Sequence, residues 1–350
     1  MSPNRLSAWW LLGFAVLILC WVDGAGGRAG EKHRVRSWEW KKLASPVIRP
    51  GFGGRYDGKV ARAPYVVQIG EEYRMYYTGG DDTGKLSICM ATAPVGKPQS
   101  WRPWPGNPVF TPAEGEAFDN RGVDFPNIVR LNDNLWYMYY TGWGTWAEKG
   151  RIANRTGLAI SWDGGRTWTR DGPDPILPLG EAGKWDSDLT GSVFVLREGD
   201  RWRMWYTAGR YVSDSSAPQP IDIQIGLASS SDGIHWTRQP APVLPTRKGD
   251  APVYEYVTSK PNLLVEDGTY RLWYSHRGIG YRIGYAESKD GIAWTRSEDP
   301  GIDVSPDGWD SQIVEYAFVL PYRNGYRMWY TGNGFGATGI GFAQTQTAEP

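Results

Sequence analysis

In a chain of 350 residues, 38 Lys and Arg balance 38 Asp and Glu, so the formal charge is zero and the basic footprint of a nucleic-acid binder is missing. A neutral partner is the expectation. Glycine at 45, with 20 Trp and 20 Tyr and hardly any Ala, Leu, Glu and Lys-rich run, points to short strands joined by tight turns.

From the N-terminus, Arg5 precedes AWWLLGFAVLILCWV, Ala8 to Val22. Its 15 apolar residues suit a signal-peptide core and fall short of the roughly 20 that span a bilayer. Residues 1–30 are read as a signal peptide or an N-terminal membrane anchor. Residues 31–350 are the folded domain, secreted, periplasmic or tethered outside the cytoplasm. Past that segment only Cys89 remains, so the mature chain forms no internal disulfide, and Cys89 in LSICMATA reads as a small buried hydrophobe.

The next stretch, SWEWKKLASPVIRP from Ser37 to Pro50, resembles an outer strand with no partner beside it in sequence. After it one strand is written five times: EYRMYYTG, LWYMYYTG, RWRMWYTA, TYRLWYSH and GYRMWYTG. The closing hydroxyls, Thr78, Thr141, Thr207, Ser275 and Thr331, are spaced by 63, 66, 68 and 56 residues, a supersecondary period. Each copy is preceded by an apolar run such as ARAPYVVQI or SKPNLLVED and followed by a second such as LSICMATA or IGLASSSD. Turns spelled DGGRTW, DGIHW and DGIAW then lead to a Pro-ended outer strand, where an edge tolerates proline. The pattern predicts an all-β fold, a five-bladed β-propeller of four antiparallel strands per blade. The last unit lacks an outer strand, and Ser37 to Pro50 is expected to supply it, removing an open edge.

What recurs in register reads as scaffold, and what breaks register on the innermost strands is the candidate for chemistry. The equivalent inner-strand positions are Arg62, Asp124, Gly191, Ser259 and Glu315. One cation, two carboxylates and two small residues around one axis suggest a site with room for a ligand. Asp57, Asp119, Asp186 and Asp310 recur in YDG, FDN, WDS and WDS and read as structural turn residues, with Asp57 kept as a minor catalytic candidate. Tyr254 stands at that place in the fourth unit, so its neighbour Glu255 reads as a third unrepeated carboxylate. The catalytic candidates are Asp124, Glu315, Glu255 and Asp57. Arg62, Lys260, Trp143, His276, Arg282 and Asn333 are the candidate binding residues, since aromatic faces together with groups that bond hydroxyls or carboxylates favour a polar ligand. No segment has metal-ligand or phosphate-loop spacing, so no cofactor and no metal are expected, and a monomer is expected.

The WYSG-like strands, the IGYAESKDGIAW type of segment and a charged residue before Pro on the inner strand resemble the five-bladed propeller glycoside hydrolases of families 43 and 32, with the mannoside phosphorylases of family 130 as neighbours. The resemblance runs from Ser37 to Gln346. It implies an inner-strand Asp as base or nucleophile and a Glu as general acid, roles to which Asp124 in VDFP and Glu315 in EYA correspond. The first unit departs, with Arg62-Ala63-Pro64 where family 43 has its Asp-Pro base, and no WMNDPNG-like segment of family 32 occurs. SWDGGRTW matches the sialidase Asp-box, a turn device that says little of catalysis. The resemblance implies an exported glycoside hydrolase acting on an oligo- or polysaccharide. A glycoside phosphorylase and a non-catalytic carbohydrate-binding propeller are the alternatives.

Overall fold

Runs of Tyr, Trp, Val and Ile cut by Gly, Asp and Pro form short strands that pair into antiparallel meanders. The computed structural model describes residues 38–146, 151–212, 220–248 and 255–345; the apolar run Ala8 to Val22 and Tyr254 lie outside the described residues. The described residues are nearly all-β, with a single short helix, Asn333–Gly336, and one 3-10 turn, Arg55–Asp57.

The inner strands of the meanders are Val60–Ile69, Gly122–Arg130, Leu189–Glu198, Val257–Glu266 and Glu315–Tyr322. Each pairs with the strand carrying the repeated motif: Glu72–Gly80, Trp136–Trp146, Arg201–Tyr211, Thr269–Arg277 and Gly325–Thr331. The third strands follow, and two-residue outer strands such as Thr169–Arg170 and Thr295–Arg296 close four of the units. The fifth is closed by the chain start. Trp40–Lys42 pairs antiparallel with Ile340–Thr345, Trp40 opposite Thr345, and Val47 and Ile48 extend the contact to Ile340.

The repeated strands are apolar on both faces because neighbouring meanders cover both. Met75, Met138, Met204, Leu272 and Met328 are all fully buried, as are Trp205, Trp273 and Trp329. Burying a side chain of this size contributes roughly 1.5 to 3 kcal/mol, which makes these strands the main apolar store of the fold.

Every inner strand carries a bulge at the same place, and the residue that begins it has a positive φ: Ala63, Phe125, Ser192, Lys260 and Tyr316. This backbone costs about 1 to 3 kcal/mol for a non-glycine residue and needs a compensating contact. The contact is the hydroxyl that ends the repeated strand of the preceding unit. Phe125 N–H donates to Thr78 Oγ1 at 3.1 Å, Ser192 N–H to Thr141 at 2.8 Å, Lys260 N–H to Thr207 at 3.0 Å, Tyr316 N–H to Ser275 at 2.8 Å, and Ala63 N–H to Thr331 at 3.0 Å. Each unit thus bonds the next, and the last bonds the first. The hydroxyl that recurs in the sequence is the clasp between units.

Because Trp40–Lys42 supplies the outer edge of the last meander, removing residues 37–50 is expected to lower the melting temperature of the whole domain. Removing residues 1–30 is expected to leave it unchanged. Equal melting temperatures for the two truncations would contradict this closure.

Candidate active site

The strand pairing sets Arg62, Asp124, Gly191, Ser259 and Glu315 directly opposite the five clasp hydroxyls, so they occupy one level around the ring. Gly191 is small for a packing reason rather than to make room, since a Cβ there would lie 2.7 Å from the Thr141 side chain.

Asp124 is fully buried and its two oxygens accept four hydrogen bonds. Thr78 Oγ1 donates to Oδ1 at 2.7 Å and the Phe125 N–H at 2.9 Å; Arg62 Nη2 meets Oδ2 at 2.5 Å and Trp143 Nε1 at 3.2 Å. The same Thr78 hydroxyl therefore clasps two units and holds the carboxylate. Glu315, also fully buried, is the opposite case, for among the described residues neither of its oxygens has a partner within hydrogen-bond geometry. Burial pushes its pKa up to about 8, while the charges of Arg62 and Arg277 and the Tyr316 hydroxyl pull the other way without cancelling it. Arg62, from the unit between those of Asp124 and Glu315, acts on both carboxyl groups.

Above this level opens a cavity of about 330 Å³ lined by Arg62, Phe125, Trp143, Tyr281, Tyr316 and Phe335, with Ser192 and Ser259 at its wall. The rings meet edge to face, Phe125 with Tyr316 at 4.9 Å and Tyr281 with Tyr316 at 5.9 Å, so the wall is stiff as well as aromatic. Among the described residues no group of three His, Cys, Asp or Glu side chains is disposed to hold a metal ion.

Of the expected binding residues, Arg62 and Trp143 line this cavity, and Lys260 lies buried on its ring. His276 and Arg282 do not line it. They border a separate groove of about 680 Å³ between the fourth and fifth units, where Arg282 is paired with Asp303 at 2.7 Å. Asn333 holds the turns around it together, for its Oδ1 accepts from the Gln312 and Ile313 N–H groups and its Nδ2 donates to the Gly308 carbonyl.

Glu255 is not the unrepeated carboxylate that the sequence suggested. In three units the turn Asp faces a basic residue of the outer strand: Asp119 with Arg170 at 2.7 Å, Asp186 with Arg238 at 3.6 Å and Asp310 with Lys42 at 2.9 Å. In the fourth, Glu255 does the same with Arg296 at 2.8 Å, adding Arg247 at 3.3 Å and His276 at 3.1 Å. Although burial alone would raise it, the His276 hydrogen bond, the Arg247 N–H and the surrounding charges hold its pKa down at about 2. Asp57, in the first unit, has Pro103 at the basic position and is held by the Gly53 N–H and the Tyr77 hydroxyl, both at 2.7 Å. Burial pushes its pKa up. Both residues are tied into turn structure; none of the four candidate carboxyl groups lines the cavity itself, and Asp124 is joined to it through Arg62 and Trp143, which do.

Phe125 and Tyr316 were not expected at the site. Each follows a singled-out carboxylate and begins a bulge, which turns its side chain to the cavity wall. The variation Ala, Phe, Ser, Lys, Tyr at that position was the available signal.

No protein-family model matches the chain. Two curated relatives from Mycobacterium tuberculosis do, the uncharacterized proteins Rv1502 of strain H37Rv and MT1551 of strain CDC 1551. Each is 33% identical over 306 residues, covering 87% of this chain and 98% of the relative. The chain belongs to the family of these two proteins. Among solved structures, a complex of BT0996 with RGII has a TM-score of 0.71 at 18% identity, covering 89% of this chain and 93% of the other. A family 130 protein from work on mannoside phosphorylases and on glycoside hydrolases that target β-1,2 mannosidic linkages in Candida mannan scores 0.67 at 16% identity, covering 90% and 96%. A thermostable family-43 glycoside hydrolase scores 0.58 at 15% identity, covering 81% and 88%. The chain thus shares the fold of the propeller glycoside hydrolases.

The ion pairs of Glu255 give a signed pH prediction. A carboxyl whose pKa is depressed by folding contributes stability above its unfolded value near 4.5 that is lost as pH falls toward about 2. Glu255→Gln should cost about 1 to 3 kcal/mol at neutral pH and flatten the acid limb of the stability curve, with ligand binding unchanged. Lost turnover at an unchanged melting temperature would return Glu255 to the catalytic set.

Proposed function

We propose that the five meanders are the blades of a five-bladed propeller and that its axial cavity binds a carbohydrate and hydrolyses a glycosidic bond. Glu315 is the proton donor and Asp124 the ionised partner. One observation carries the reading: two carboxyl groups on one level of one axis, sharing Arg62, sit in opposed environments, one unpartnered with a pKa near 8 and one ion-paired. Glycosidic cleavage needs that division, an acid that still holds its proton at neutral pH and a carboxylate that does not. The aromatic wall of Trp143, Phe125, Tyr281 and Phe335 suits the apolar face of a pyranose ring, and about 330 Å³ holds one or two sugar units. The shared fold with glycoside hydrolases of families 43 and 130 is in keeping with this reading.

A second reading, a carbohydrate-binding propeller without turnover, is favoured by a specific feature. Both oxygens of Asp124 are fully engaged, and neither Asp124 nor Glu315 has any solvent exposure. In that case Asp124 only positions Arg62 and Trp143.

A panel of aryl glycosides and polysaccharides, assayed with and without phosphate, separates these readings. Hydrolysis is expected without phosphate, falling as pH rises through about 8 because the acid then loses its proton. Glu315→Gln should lower kcat by about 10² to 10⁴ with sugar binding retained. Binding without turnover anywhere in the panel would favour the second reading, phosphate-dependent turnover would make the enzyme a phosphorylase, and an unaffected Glu315→Gln rate would remove Glu315 from the acid role.

A further inference from the structure

Lys260 is fully buried, and among the described residues its Nζ has no hydrogen-bond partner. A charge so placed costs several kcal/mol unless something accepts its hydrogens. Its backbone belongs to the bulge ring whose members Phe125, Ser192 and Tyr316 line the axial cavity, and the adjacent Ser259 and the Thr207 that takes its N–H line it too. The acidic group that acts on the amine is Asp124. Lys260 is in the fourth unit and Asp124 in the second, units not joined by a clasp, and Lys260 is buried next to the lining residues Ser259 and Thr207 rather than lining the cavity itself.

Two further donors at this place are also unmatched, Arg62 Nε and Arg277 Nε, the latter on a guanidinium 5.2 Å over the Tyr281 ring of the cavity wall. The charges do not balance. Arg62 and Lys260 face a single ion-paired carboxylate, Asp124, while burial keeps Glu315 protonated to about 8. Burial also pulls Lys260 down to about 8, which still leaves it mostly charged at neutral pH. With Arg277 added, the groups gathered here are cationic in excess inside a chain whose net charge is zero.

We propose that the axial cavity takes an anionic ligand, a sugar residue bearing a carboxylate, whose acid group is received by Arg62 and Lys260. The inference rests on the carbohydrate reading above and names its substrate class as uronate-containing glycosides. A carboxylate supplies the acceptor that Lys260 lacks and a negative charge against the cationic excess, and charge-assisted bonds of this kind are roughly twice as strong as neutral ones. Inorganic phosphate offers the same oxyanion chemistry, so the test includes it as a separate arm.

The full domain is melted with D-glucuronate, D-galacturonate, glucose, galactose or inorganic phosphate at matched ionic strength. Near saturation a uronate should raise the melting temperature by about 2 to 4 °C, and the neutral sugars by less. Lys260→Met and Lys260→Gln remove the charge without stranding a partner; each should fold, and each should abolish the uronate shift while keeping the response to neutral sugars. Neutral sugars acting as strongly as uronates, or a uronate shift that survives both variants, would overturn the inference and leave the carbohydrate reading standing. A shift with phosphate alone would overturn the sugar carboxylate as the source, and no shift with any sugar would overturn the carbohydrate reading itself.

Discussion

A hydrogen bond from a strained backbone N–H to a hydroxyl, made five times around one axis, is the constraint on which the rest of this molecule depends. The bulge lifts one N–H of each inner strand out of its own ladder, and an unsatisfied buried N–H costs about 1 to 3 kcal/mol. Thr78, Thr141, Thr207, Ser275 and Thr331 each satisfy the next unit's bulge. The bonds are directional, so they set the order and inclination of the units as well as their attraction. Apolar burial of the Trp, Tyr and Met side chains between meanders supplies more energy and no comparable orientation.

The same device makes the site. A bulge presents two successive side chains to the axis, so each unit contributes one residue beside the clasp and one beyond it. Scaffold and chemistry occupy adjacent atoms: Thr78 holds Phe125 and Asp124 together, and Asp124 in turn holds Arg62 and Trp143 at the cavity wall. Asymmetry among otherwise equivalent positions gives Glu315 an unpartnered environment and Asp124 a saturated one.

Much of this was legible in the sequence for a physical reason. A radial repeat writes the same burial problem once per unit, so Met75 and its equivalents, the clasp hydroxyls and the turn aspartates recur at a fixed spacing, and the register on Arg62, Asp124, Gly191, Ser259 and Glu315 follows from counting. The unmatched outer strand at Trp38 was visible because every other unit had one. The failures occurred where a role passes to a different residue type. Glu255 takes the place of the turn aspartate with a longer side chain, and its partner Arg296 lies 41 residues further along the chain. His276 stands one residue short of the place that Trp143 holds, which Arg277 takes in the fourth unit, so alternation along the strand turns it to the other side, and Arg282 belongs to the third strand; both border another groove. Lys260 could be named from sequence, but its isolation could not, since lack of a partner is a property of all its neighbours at once.

The central claim is that the axis keeps one carboxyl group protonated at neutral pH beside an ion-paired one. The carboxylic acid C=O stretch of Glu315, isolated as the infrared difference between the protein and Glu315→Gln, measures this directly. The account predicts a protonated-acid band at about pH 6 that disappears with a midpoint near 8. A carboxylate spectrum for Glu315 already at about pH 6 would contradict it, because the buried, unpartnered environment would then not govern its ionisation.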